Sequence, residues 1–421
     1  MRIYNLEAQN FKIFDKMDLN LQGKSTVIFG VNGTGKSTML SMVNYLFRVW
    51  VNRLNPAQGK AYESFSEDVV RIGASKCEIS MQVKMDDKAF VLERHYQKNK
   101  PGLSKKQQTY DKKLYDMFCA NFTERFLKDT DTPDMPIFVN YGTNRSVLDI
   151  PLRIRNKHEF SVISALERAI ENELDFRTFF EWFRNQEDLE NEIKLEVDKN
   201  YEDVMLKCVR KAIEAMLGNV TDLKVKRNPL CMKVKKGNKE IRVDHLSDGE
   251  KCTLALFGDL ARRIAIANQH KENPLEGSGV VLIDEIELHM HPSWQRRVLK
   301  VLADTFPNIQ FIVTTHSPQV LGEADDRYRI VFLNPTDNGC QVGVIKRMDG
   351  FDSNYILEEY MGTTSKNEKV KNLIRSINIM IKEREFAEAE GLIELLKEIS
   401  GDTDYDVILL EGYLRRSRGN R

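Results

Sequence analysis

The sequence predicts an α/β fold, a mostly parallel sheet built around a phosphate-binding loop, and three observations carry that prediction. Gly30-Val-Asn-Gly-Thr-Gly-Lys-Ser37 matches G-x-x-x-x-G-K-[ST] at every fixed position. It follows a β-rich step, Thr26-Val-Ile-Phe, and precedes a helical pattern of Met39, Leu40, Met42, Val43, Leu46 and Phe47. Far downstream, Val280-Val-Leu-Ile283 and the run from Ile309 to Val313 read as buried strands that end in polar residues.

Each of these elements implies chemistry. Gly30, Gly33 and Gly35 allow the loop backbone to turn its N–H groups inward on phosphate oxygens. Lys36 supplies a positive charge for the β and γ phosphates, the Ser37 hydroxyl is a ligand for Mg²⁺, and the following helix points its positive end at the anion. The expected ATP contacts are Gly30, Asn32, Gly33, Thr34, Gly35, Lys36, Ser37 and Thr38. Asp284 and Glu285 stand at a strand's C-terminal end, where open α/β sheets bind ligands. Asp284 is expected to hold Mg²⁺ and Glu285 to activate the attacking water, with Lys36 and His316 completing the catalytic set. His316, after Ile309-Gln-Phe-Ile-Val-Thr-Thr, is placed to sense the γ phosphate.

Leu246-Ser-Asp-Gly-Glu-Lys251 resembles the signature motif of ABC-type ATPases, usually LSGGQ, with Asp248 and Glu250 as departures. The resemblance implies a head-to-head dimer in which Ser247, Gly249 and Glu250 of one protomer complete the ATP site of the other. Asp284-Glu-Ile-Glu-Leu-His-Met-His-Pro292 is similar to the extended acidic motif of the RecF- and OLD-like ATPases. Pro292 also suits the first position of a helix. Glu287, His289 and His291 show no further ligand group that would make a metal site. Asn10-Phe-Lys-Ile-Phe14 resembles that branch's opening strand, which implies that Lys12 lies near the nucleotide. The implied fold is a P-loop NTPase of ABC/SMC-head type with an antiparallel β lobe, a short helical insertion and a C-terminal helical hairpin.

The expected divisions are residues 1–155, the first ATPase lobe; 156–220, a helical arm; 221–348, the second lobe; and 349–421, a dimerisation or partner-docking region. Residues 76 to 94 read as two strands around Asp86-Asp87, and Leu223 to Val243 as one hairpin turning at Lys236-Gly-Asn. Arg145, after the strand beginning at Ile137, is either a nucleotide contact or a structural ion pair. Phe176, Phe179, Phe180, Trp182 and Phe183 read as packing core, and the arm is too short for an SMC coiled coil. Residues 366 to 400 read as an amphipathic helical hairpin.

Lysine plus arginine and aspartate plus glutamate both number 63, so the chain lacks the overall basic charge usual in a dedicated nucleic-acid binder. The segment from Lys98 to Lys113, with Lys100, Lys105, Lys106, Lys112, Tyr96 and Tyr110, reads as a solvated loop or as a local DNA or RNA patch. The six cysteines lack a C-x-x-C pattern, and neither a long apolar run nor a signal-like start is evident; a cytoplasmic protein without membrane association is expected.

No nuclease constellation is recognised. Asp402-Thr-Asp-Tyr-Asp406 reads as turn and cap chemistry rather than as a TOPRIM site. The head motifs, the Phe-Phe-Glu-Trp-Phe183 run and the C-terminal helices resemble the PtuA-like ATPases of Septu and retron-associated antiphage systems, over most of the chain. That resemblance implies a separate HNH nuclease as partner. The alternative is a RecF- or SMC-like repair ATPase that binds DNA directly.

Overall fold

Six strands form the central sheet of the first unit, in the order Gly339–Ile345, Tyr328–Thr336, Ser25–Gly30, Ile309–Thr315, Gly279–Ile283, Ile137–Tyr141. The last five run parallel, and Gly339–Ile345 is an antiparallel edge. The computed structural model describes residues 1–54, 65–98, 108–128, 134–145, 160–336, 339–363 and 366–419. They divide into two compact units, Met1–Phe351 and Asp352–Arg421. Lys100, Lys105, Lys106 and the expected boundary at residue 155 lie outside the described residues.

The three central strands are buried almost throughout and apolar at their centres because they are covered on both faces, as a parallel sheet requires. Gln310 is the informative exception. Fully buried, it exchanges bonds with both backbone groups of Ile3, accepting at 2.6 Å and donating at 2.9 Å, and also donates to the Lys24 carbonyl. A buried amide is stable only when so satisfied. It fastens the parallel sheet to a five-stranded antiparallel sheet ordered Phe14–Asn20, Arg2–Phe11, Lys76–Met85, Lys88–Gln97, Gln108–Tyr110. The hairpin between Lys76–Met85 and Lys88–Gln97 turns at Asp86, whose φ is 51°.

Lys36–Leu54 is a helix buried on most of its circumference. Tyr45 meets Phe11 and Phe65, whereas Phe47 stacks on Phe138 with ring centroids 4.6 Å apart. Apolar residues on all sides are what a helix held between two sheets needs.

The described residues of the expected arm, 160–220, do not stand clear of the head. Phe176–Glu196 and Val204–Leu217 pack against the signature helix Asp248–Ala267, and Phe176, Phe179, Phe180, Trp182 and Phe183 are all buried. Two acids contribute to this packing: Glu187 and Glu190 are buried and pair with Arg210, and Glu187 also with Arg227.

The single hairpin expected over Leu223 to Val243 is instead a three-stranded meander, Val220–Arg227, Leu230–Lys236 and Lys239–Arg242. Asn228-Pro229 makes the first turn, where the missing proline N–H costs no ladder bond. Gly237, at φ 57°, sits in the second.

The second unit has a third long helix beyond the expected hairpin. Glu368–Glu383, Phe386–Ser400 and Tyr405–Gly419 enclose a core of Val370, Ile377, Ile381, Ala389, Ile393, Leu396, Val407, Leu410 and Leu414. Lys366 pairs with Asp404 and Asp406, so the acidic run organises the start of the last helix. Near the end of that helix Arg415 pairs with Glu411 and Arg418 with Glu390.

One buried cluster secures the signature helix. Asp259 accepts from Arg262 at 2.6 Å, Arg263 at 2.7 Å and the Tyr141 hydroxyl at 2.8 Å, and Arg263 also donates to the carbonyls of Ala165 and Glu167. Burial would raise the Asp259 carboxyl, but Arg263 and Arg262 outweigh it and hold it down at about 2. Replacing Asp259 by Asn leaves two buried guanidiniums short of their counter-charge, and we expect a loss of about 3–5 kcal/mol in urea unfolding. In the wild type, Asp259 should contribute fully above its ordinary value of 3.8, and that contribution should vanish as pH falls through about 2. An Asp259→Asn protein within about 1 kcal/mol of wild type would show that the cluster is replaceable.

Candidate nucleotide site

The parallel register brings the candidate residues to one edge. Phe29 pairs with Thr315 and Ile283 with Val313, so Gly30, His316 and Asp284 all follow at neighbouring strand ends. Gly30, Gly33 and Gly35 have φ of 154°, 80° and 95°. A Cβ on Gly30 would lie 2.4 Å from the Leu333 carbonyl oxygen, and one on Gly35 2.7 Å from Ile13. Gly33 faces open space instead, with nothing within 4 Å. The loop is therefore clamped at both ends and open in the middle, the shape of an anion cradle.

Lys36 is the first residue of the helix and is buried; its Nζ donates to the carbonyls of Gly30 at 2.9 Å and Val31 at 3.0 Å. Burial lowers its pKa, opposed by the charges of Asp284, Glu285 and Glu287. Thr34 is buried and ties its hydroxyl to Val31, whereas Asn32 and Ser37 are exposed and Thr38 half-buried.

The two acids are held from three sides. Asp284 donates its N–H to Tyr141 at 2.9 Å. Thr314 Oγ1 donates to Asp284 Oδ1 at 2.5 Å and accepts from the Glu285 N–H at 2.7 Å. Arg145 donates to the backbone carbonyls of Asp284 and Glu285, the latter at 2.8 Å. This matters because Glu285 adopts φ 47°, a left-handed conformation unfavourable for a side-chain-bearing residue. Among the described residues Arg145 is a buried clamp on main-chain carbonyls, and it feels the charges of Asp284, Glu287 and Glu285.

Glu287 performs the same office for the histidine. Its carboxylate accepts from Thr315 Oγ1 at 2.8 Å and from the His316 N–H at 2.6 Å, fixing the corner that presents the ring. Burial lowers the His316 pKa below 6.5, Lys36 adds to the effect, and the three acids oppose it. The imidazole is therefore neutral near pH 7 and able to present a single N–H as donor. His291 caps a short helix, accepting from the Ser293 N–H.

The signature segment caps its own helix. Ser247 and Glu250 form a capping box, with Ser247 Oγ 2.8 Å from Glu250 Oε2, and Lys236 pairs with Glu250 Oε1 at 2.6 Å. Glu250, expected among the nucleotide contacts, is buried and engaged within its own chain: it reaches back to Ser247 as a capping-box residue and its charge pairs with Lys236. Ser247 and Asp248 remain exposed. Gly249 is set against the extended acidic motif, where a Cβ would fall 2.3 Å from the His289 carbonyl oxygen.

Lys12 belongs to the turn that flanks the phosphate loop. Its ammonium sits over the Phe11 and Tyr45 rings, at 5.9 and 6.0 Å, while Ile13 and Phe14 of the same turn are the residues against Gly35. Sequence reasoning gave no role to Thr314 and considered Glu287 only as a metal ligand. Their signal was present in polar residues closing an otherwise apolar strand and in the acid two residues after Glu285, but its meaning depends on strands brought together from afar.

A glycine loop closing on a buried lysine at a helix N-terminus, with paired acids and a histidine on adjacent strand ends, defines a P-loop ATP hydrolase. Two family profiles match: "AAA domain, putative AbiEii toxin, Type IV TA system" over residues 125–322, and "AAA domain" over residues 5–208. The chain is similar to the retron Vc95 probable ATPase of Vibrio cholerae serotype O1 biovar El Tor, 29% identical over 80% of this chain and 76% of the relative. The retron Ec83 probable ATPase of Escherichia coli is 26% identical over 98% and 86%, and the Septu protein PtuA of Bacillus thuringiensis 23% over 86% and 84%. Among solved structures, the SMC head domain from Thermotoga maritima covers 82% of the chain and 99% of its own, with a TM-score of 0.45 and 14% identity. Within the class of P-loop ATP hydrolases, the chain is similar to the PtuA-like ATPases of retron and Septu antiphage systems.

Two substitutions test the supports rather than the acids. Thr314→Val keeps the shape of the strand end but removes both bonds to the acidic pair, and turnover should fall roughly tenfold to a hundredfold while ATP affinity changes little. Gly249→Ala should lower the melting temperature through its clash with His289, at a cost of about 1–3 kcal/mol. Steady-state phosphate release and thermal melts check both; wild-type turnover in Thr314→Val would leave the acids needing no such support.

Proposed function

We propose that two protomers bind ATP between them, with Lys36 and the phosphate loop of one and Ser247 and Gly249 of the other around each nucleotide. The observation that carries this reading is the division of the chemistry within one chain. Lys36 feels Asp284, Glu285 and Glu287, whereas the signature's Ser247 and Asp248 stand exposed at the start of a helix whose cap is already made. That exposed end offers backbone N–H groups and the positive end of a helix dipole to a phosphate carried by a second copy.

Within the site, the Gly30–Thr38 loop holds the triphosphate and Lys36 exchanges its loop carbonyls for β and γ oxygens. Ser37 and Asp284 are the residues that would hold Mg²⁺, and the fit is favourable: the hydroxyl is exposed at the cradle, and Thr314 orients the carboxylate. The ion supplies neutralising charge to the β and γ phosphates. Glu285 orients the attacking water and accepts its proton, and His316, held by Glu287, donates to the γ phosphate.

The nucleotide state is read out through the insertion at 156–220 and the C-terminal region at 349–421, to control a separate HNH-type nuclease in the cytoplasm during antiviral defence. The relatives' retron and Septu names support the setting.

Glu285→Gln should cut phosphate release by about a hundredfold or more and accumulate ATP-bound dimers, visible by light scattering with ATP and Mg²⁺. Unchanged turnover would remove Glu285 from its role. Persistence of that nucleotide-dependent association in Ser247→Arg would remove the signature from the interface.

A further inference from the structure

We propose that the outer face of the last helix, Tyr405–Gly419, is a docking surface for the same helix of a second copy, running antiparallel. A helix in a small bundle needs one apolar stripe, and this helix has two. Val407, Leu410 and Leu414 face the unit's core. On the opposite side Tyr405, Ile408, Leu409 and Tyr413 are 74%, 57%, 51% and 39% exposed, at spacings of three, four and eight residues from the first. Clustered apolar exposure on that scale marks an interaction surface.

The pattern itself selects the occupant. A two-fold axis midway between Leu410 and Glu411 places Leu409 opposite Gly412, Ile408 opposite Tyr413 and Tyr405 opposite Arg416, all on the outer face. A Cβ added at Gly412 would meet nothing within 4 Å, so the space above it is open to a large partner side chain. Arg416 of one helix lies over Tyr405 of the other, a favourable cation–aromatic pairing. It also approaches Asp402, just before the helix start. Arg416 and Asp402 are both exposed, while the charges around them are engaged: Arg415 with Glu411, Arg418 with Glu390, Asp404 and Asp406 with Lys366. Large residue against small and cation against anion, under one axis, is the self-complementarity of an isologous interface. This contact is independent of the ATP-joined pairing above and requires no nucleotide.

Analytical ultracentrifugation of the full chain, free of nucleotide and at tens of micromolar, tests it. The wild type should sediment as a dimer or higher even multiple of 48.8 kDa, and Leu409→Asp should weaken association at least tenfold while leaving the melting temperature unchanged. Arg416→Glu should weaken it by about tenfold, and the double exchange Asp402→Arg with Arg416→Glu should recover about threefold of that loss, the pairing with Tyr405 remaining lost. A monomeric wild type, or self-association indifferent to Leu409→Asp, overturns the proposal. Arg416→Glu without recovery in the double exchange overturns the antiparallel pairing. Loss of ATP-driven dimers in Ser247→Arg, with nucleotide-free association intact, would sink neither contact and would separate the two.

Discussion

The site depends on one hydroxyl. Thr314 Oγ1 lies between the side chain of Asp284 and the backbone N–H of Glu285, joining the end of Ile309–Thr315 to the turn that follows Gly279–Ile283. Its strand also pairs with the phosphate-loop strand, so a displacement of Thr314 would carry the acids and the loop edge together. The Ile286 N–H to Thr314 carbonyl bond, at 3.0 Å, closes the same junction from the main chain. Positioning of this kind matters because phosphoryl transfer asks the protein mainly for placement and electrostatics.

Around that junction, polar groups restrain backbone rather than reach outward. Arg145 neutralises the carbonyl ends of Asp284 and Glu285, Glu287 takes the N–H of His316, and Gly249 yields space to the carbonyl of His289. The last contact joins the start of the signature helix to the segment that carries the acids. A shift at the signature must push on the segment that carries the acids, because the two backbones already touch.

The signature helix is anchored more deeply than its exposed start suggests. Asp259, Arg262, Arg263 and Tyr141 connect it to the edge strand of the parallel sheet, and Tyr141 is the residue whose carbonyl accepts from Asp284. Buried charges of this kind give little net stability, but they tolerate few alternative arrangements. The helix is therefore anchored at the sheet and exposed at Ser247, which suits an element that meets something outside its own chain.

Much of this was legible in the sequence. Local patterns determine the phosphate loop, the apolar strands and the amphipathic helices, because glycine spacing, strand hydrophobicity and helical period are properties of neighbours along the chain. The same patterns placed Lys36, Asp284, Glu285 and His316 at element ends. Only the tertiary structure decided that Arg145 clamps carbonyls, that Glu250 turns back on Ser247 and Lys236, that Thr314 joins the acids, and that Tyr405–Gly419 is a helix with two apolar faces. Each of those depends on partners distant in sequence or on a period blurred by having two faces, and pattern along the chain records neither.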